Sequence, residues 1–170
     1  MKKITLSELI LLINQTNDKV YTSSSEIVKN SIIIKHRELD GKETILNNVK
    51  DFNNKYNLYI ECLHKLETYK NKLSKANSQI IATKGMTILE TLNHMNNLKK
   101  QLALLDELCS KEPSLKRYFD GNGSNAYYRV EDLNFDIEKY KNEKLRLQSE
   151  INNLESCIQQ ANANNFVEIE

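Results

Sequence analysis

Residues 132–162 read DLNFDIEKYKNEKLRLQSEINNLESCIQQAN. Leu133, Ile137, Tyr140, Lys144, Leu147, Ile151, Leu154 and Ile158 recur in alternating steps of four and three. A period of 3.5 residues keeps one stripe of a helix facing a partner, so the segment predicts a helix in coiled-coil packing. Lys144 is the polar member of the stripe, the type of residue that fixes register or oligomeric state.

Working back from this segment, the pattern changes between 115 and 130. Leu115, Arg117 and Phe119 alternate with Lys116 and Tyr118, then come Asp120-Gly121-Asn122-Gly123 and Ala126 to Val130. Gly and Asn accept positive φ at low cost, so a hairpin is expected here. Pro113 ends the preceding helix, predicted over 87–111. That helix opens with the capping box Thr87/Glu90 and carries Ile88, Leu92, Met95, Leu98, Leu102, Leu105 and Leu108. Upstream, Ile45, Val49, Phe52, Tyr56, Tyr59, Leu63, Leu66 and Leu73 predict a long helix over 43–76. Ile27, Val28 and Ile32 to Ile34 form a β-branched cluster that favours a strand over 27–38, with helix as the competitor. Thr5 and Glu8 form a second capping box ahead of a helix over 5–17.

Together these elements predict a mainly α protein: an elongated antiparallel helical bundle or coiled coil with a small β element, in a single domain over 1–170. At about 1.5 Å per residue the longest helices reach about 40–50 Å. The apolar stripes outnumber their internal partners, which implies a homo-oligomer.

The bulk composition narrows the function. A net charge of +1 and a pI near 7.7 give no broad field for nucleic acid or membranes. No apolar run is long enough to span a bilayer as a helix. Met1 to Ile13 is interrupted by polar residues and is followed by no small-residue cleavage site. Cys62, Cys109 and Cys157 are odd in number and form no C-x-x-C, which suits reduced thiols in a cytoplasm. His36, His64 and His94 are scattered without metal-ligand spacing, so no metal or other cofactor is expected. No phosphate-binding glycine loop or nucleophile motif occurs, and the carboxylates lie on helix faces, so no enzymatic activity is expected.

Arginine is used sparingly. Four arginines stand among the 24 basic residues, and Arg37, Arg117 and Arg129 fall outside the predicted helices, while Arg146 lies within one. Guanidinium is a planar fork that grips carboxylate or phosphate bidentately and stacks on rings. Tyr118, Tyr127 and Tyr128 surround Arg117 and Arg129, and His36 lies beside Arg37. The set Arg37, His36, Arg117, Tyr118, Tyr127, Tyr128 and Arg129 suits a small phosphorylated nucleotide. The alternative is a structural hairpin whose arginines pair with Asp120 and Glu131. Strand alternation points Tyr127 and Tyr128 to opposite faces, so a pocket using both needs more than one protomer.

The run Lys75-Ala76-Asn77, then Gly85-Met86-Thr87-Ile88-Leu89-Glu90-Thr91-Leu92 and the Leu-rich stretch to Leu108, resembles the septicolysin-like family of small bacterial and phage proteins. So does Val130-Glu131-Asp132-Leu133 through Leu154 to Ile158-Gln159-Gln160-Ala161-Asn162. The resemblance covers about residues 43–163. It departs where Ala163 replaces the family's usual Trp, and in the Ser- and Ile-rich N-terminal region. It implies a helical, self-associating protein and transfers no catalytic residue; the family name implies a membrane-active toxin. In its traits the chain is similar to phage sponges that sequester immune nucleotide signals such as cyclic ADP-ribose isomers. The expectation is a cytoplasmic, non-catalytic homo-oligomer that holds such a nucleotide. A coiled-coil interaction protein is the first alternative and a membrane-active toxin the second.

Overall fold

Thr5 and Thr87 each start a helix in the same way. The threonine hydroxyl accepts from the backbone N–H three residues on, and the carboxylate of Glu8 or Glu90 accepts the threonine's own N–H at 2.7 or 2.8 Å. Two orphan donors are satisfied at each start. The computed structural model describes residues 2–47, 52–119, 121, 123 and 125–169. Their order is β1 (Lys2–Thr5), α1 (Leu6–Lys29), β2 (Lys35–Arg37), β3 (Glu43–Ile45), α2 (Phe52–Gln79), β4 (Ile81–Thr83), β5 (Met86–Thr87), α3 (Ile88–Cys109), β6 (Ser114–Phe119), β7 (Ala126–Glu131), α4 (Ile137–Asn164) and β8 (Phe166–Ile169).

The chain divides into two compact units, Met1–Ile80 with Ala161–Glu170 and Ile81–Gln160. In the first, α1 and α2 run antiparallel, and Lys55 meets Glu26 at 3.3 Å where the β2–β3 hairpin joins them. Its core holds Ile4, Leu6, Leu9, Ile13, Leu66 and Ile169. In the second, α3 and α4 run antiparallel, tied by Lys144–Asp106 and Lys99–Glu155, each at 2.7 Å. Its core holds Ile88, Met95, Leu98 and Leu105 against Leu147, Ile151, Leu154 and Ile158. The last four are the buried half of the predicted stripe. Each such side chain contributes about 1.5–3 kcal/mol on burial. Lys144, the polar stripe member, reaches out to Asp106 instead of entering this core.

The two halves of the sequence repeat one plan: strand, helix, hairpin, helix, strand. Leu6, Leu9 and Ile13 in α1 correspond to Ile88, Thr91 and Met95 in α3, and all six are buried. Leu66 and Ala76 in α2 correspond to Ile151 and Ala161 in α4, also buried. Asn77 and Asn162 follow the two alanines, and each has a buried Oδ1 without a hydrogen-bond partner among the described residues. Thr5 pairs with Phe166, the first residue of β8, as Thr87 pairs with Ile81, the first residue of β4. The strand that opens one half therefore pairs with the strand that closes the other.

Four element boundaries differ from the sequence reading; one is the last helix, which begins at Ile137 and not at 132, so that Leu133 precedes it. The first helix runs past 17 to Lys29. Its Ser/Thr-rich stretch stays helical although Thr22 and Ser24 turn their hydroxyls to the carbonyls of Asp18 and Tyr21 one turn back, because packing on α2 overrides their weak propensity. The strand expected over 27–38 shrinks to Lys35–Arg37; Ile32 to Ile34 lie in the connection, where the Asn47 amide donates to the Ile32 carbonyl and accepts from the Ile34 N–H. The long helix begins at Phe52 and not at 43, since Glu43–Ile45 forms β3. Val49 and the rest of 48–51 lie outside the described residues, as do Asp120, Asn122 and Ser124 in the hairpin expected over 115–130. That hairpin is present as β6 and β7.

Candidate functional site

The three non-helical arginines stand on the two hairpins that join the helix pairs, at corresponding places in the two halves. In β6–β7, Lys116 pairs with Arg129, Arg117 with Tyr128 and Tyr118 with Tyr127. Directly opposed residues share a face. One face therefore carries Leu115, Arg117, Phe119, Tyr128 and Val130; the other carries Lys116, Tyr118, Tyr127, Arg129 and Glu131. Tyr127 and Tyr128 are thus divided, as alternation requires.

The second face gathers more of the predicted chemistry. The Tyr118 and Tyr127 rings stack with centroids 5.8 Å apart and planes 20° from parallel. They remain 37% and 54% exposed. Beside them stands the cross-strand pair Lys116 and Arg129. The Arg129 guanidinium reaches Glu131 at 3.0 Å, and Glu131 also accepts from the Ser114 hydroxyl. On the first face the Arg117 guanidinium lies 5.2 Å from the Phe119 ring centroid. Apart from Arg117 this face is apolar, and it is open, with Leu115 65% and Tyr128 61% exposed.

The hairpin β2–β3 is arranged differently. His36 pairs with Thr44, and Lys35 and Arg37 with Ile45 and Glu43, so His36 faces away from both cations. The three adjacent donors do not converge. One carboxylate, Glu43, takes Lys35 and Arg37, each at 2.8 Å. The Lys35 hydrogen bond and charge, with help from Arg37, hold Glu43 below the usual carboxylate range. His36 and Arg37 lie in the first unit, and the Arg117–Arg129 group lies in the second.

Sequence reasoning missed a cleft in the second unit, of about 770 Å³, bordered by the β4–β5 turn, α3 and α4. Lys84, His94, Arg146 and Glu150 are its ionisable walls with Cys157. Arg146 donates from Nε and Nη2 to Glu143 at 3.0 and 2.6 Å, and its Nη1 lies 3.6 Å from Glu150. This pairing raises the guanidinium's affinity for its proton and lowers Glu143. The other Glu150 oxygen lies 3.5 Å from His94 Nε2. Among the described residues no group of His, Cys, Asp and Glu could hold a metal ion. The available signal was Arg146 itself, a rare arginine on a helix otherwise supplied with lysine.

No known protein family and no curated protein matches the chain. Among solved structures it is similar to the crystal structure of a functionally unknown conserved protein from Corynebacterium diphtheriae. The TM-score is 0.71 at 12% sequence identity, covering 98% of this chain and all of that one. At this identity the likeness shows a shared fold and carries no function.

Proposed function

We propose that this protein is a non-catalytic binder that sequesters a small anionic nucleotide as a homo-oligomer. The observation that carries the reading is the exposed Tyr118–Tyr127 stack beside Lys116 and Arg129 on one face of the β6–β7 hairpin. Aromatic faces hold a base at about 1–3 kcal/mol per stacked base, and the cations meet the phosphates. A two-stranded hairpin open on both faces cannot enclose a ligand, so the reading includes a second protomer that covers it. Sequestration of an immune signal such as a cyclic ADP-ribose isomer is its most specific form, and it asks for binding without turnover.

A thermal-shift series with cyclic ADP-ribose isomers and cyclic dinucleotides tests this, followed by denaturation and identification of what is released. A ligand at 100 times its Kd adds about 2.7 kcal/mol of stability, a shift of several degrees. The reading requires that shift, recovery of the unaltered ligand, and loss of the shift in Tyr118→Ala and Arg129→Ala. No shift with any nucleotide would reject it. One observation favours a protein-interaction role instead: Ile32, Ile33, Ile34, Leu39 and Leu46 are all exposed around the β2–β3 hairpin, a patch suited to a protein partner. Among the described residues no helix is long and apolar enough to cross a membrane.

A further inference from the structure

The cleft of the second unit has a counterpart in the first. His64, Lys65, Thr68, Tyr69 and Lys72 line a smaller cleft of about 200 Å³ on α2. Their equivalents in the repeat are Ser149, Glu150, Asn153, Leu154 and Cys157, the α4 wall of the larger cleft. The same helix face forms a hollow twice, with different chemistry each time. The second copy gains a further wall, because the β4–β5 turn supplies Lys84.

Lys84 is held at φ 43, followed by Gly85 at φ 79. Thr83 pairs with Met86, so these two residues are the whole loop. Positive φ at both central positions makes it a type I′ turn, where Asn, Asp or Gly fits without strain and lysine does not. Strained residues concentrate at sites of function. Arg146 is anchored through two of its nitrogens by Glu143, outside the cleft, which fixes the plane of the fork. Glu150 stands between Arg146 and His94 at 3.6 and 3.5 Å, both longer than a hydrogen bond, so its acceptor capacity is not filled by them. Met86 and Leu154 give the cleft an apolar wall, and Ser149 and Asn153 add neutral polar groups.

We propose that this cleft binds a phosphorylated sugar. Lys84 and Arg146 take the phosphate, while Glu150 and Asn153 accept and donate at the sugar hydroxyls. Met86 and Leu154 meet the C–H face of the ring. The cleft, at about 770 Å³, is larger than such a ligand and admits it whole. The inference is independent of the hairpin reading, since the two groups share no residue.

The test is calorimetric titration of the full chain with ribose 5-phosphate, and with inorganic phosphate and ribose separately. Saturable binding of ribose 5-phosphate is expected, tighter than either half alone. Lys84→Asn keeps the turn, relieves its strain and removes the ammonium; it should weaken binding at least tenfold while melting no lower than wild type. Arg146→Lys, which keeps the charge and loses the fork, should also weaken binding. Glu150→Ala should narrow the preference for ribose 5-phosphate over inorganic phosphate. Arg117→Ala with Arg129→Ala should leave all three titrations unchanged. Wild-type affinity in Lys84→Asn, or no saturable response to ribose 5-phosphate, overturns the proposal. Loss of binding in the arginine double variant alone also overturns it, by moving the anion site to the hairpin.

Discussion

Glu8 and Glu90 do chemically identical work at the starts of α1 and α3. Hydrogen bonds from the threonine N–H and hydroxyl hold both carboxyls below their ordinary value of 4.5. A depressed folded-state value means the stabilisation is full above about pH 4.5 and is lost as pH falls through the lowered value. Glu8→Gln with Glu90→Gln should therefore flatten the fall in melting temperature below that pH and change the curve's shape little near neutrality. Thr87→Ala should cost about 1 kcal/mol in urea unfolding at neutral pH. Both boxes were legible because each needs only two residues at a fixed spacing. Lys84 was not legible, since nothing in its own identity predicts a left-handed backbone.

At the scale of elements, periodic segments were read well and β-branched ones poorly. The stripe from Leu147 to Ile158 is buried as its spacing requires. Ile151→Ala should cost about 2–5 kcal/mol, measured by denaturant unfolding. Tyr118→Ala, on an exposed hairpin, should cost under about 1 kcal/mol; a larger loss would mean that its ring is structural. The first helix was expected to end at 17, before a stretch of hydroxyl-bearing residues that compete for backbone groups, yet Ser24 in that stretch bonds back into the helix at the Tyr21 carbonyl. The isoleucines at 32–34 favour strand by propensity, but only three residues of that region pair. The hairpin arginines were found because their residue type was rare. The cleft was overlooked because its walls come from a turn and two helices far apart in sequence.

The whole molecule is written twice, and the sequence hides it: the halves share caps, core positions and helix-end Ala-Asn pairs, but few identical residues elsewhere. Packing fixes that a position is buried more than which residue fills it, so Leu9 has Thr91 as its counterpart, whose buried hydroxyl is satisfied by donating to the Thr87 carbonyl at 2.8 Å. Self-association belongs to this scale as well. The proposed homo-oligomer should appear in sedimentation velocity at micromolar concentration, and replacing Ile33 and Leu39 by Asp should shift it toward monomer if the β2–β3 patch is the interface. A monomeric wild type would remove the second protomer from the hairpin site.

The β1–β8 ladder brings Lys2 opposite Ile169, and the Lys84–Gly85 turn is the short link between β4 and β5. A circular permutant that joins the ends across the first ladder and opens the chain at the second simply exchanges the order of the halves. Every strand keeps its partner and every helix its hairpin. Such a permutant should fold to the same circular dichroism spectrum, with its kinetics altered. The β1–β8 pairing, which in the natural order closes over nearly the full chain and so forms against the largest loop entropy, becomes the local contact, and β4–β5 becomes the distant one.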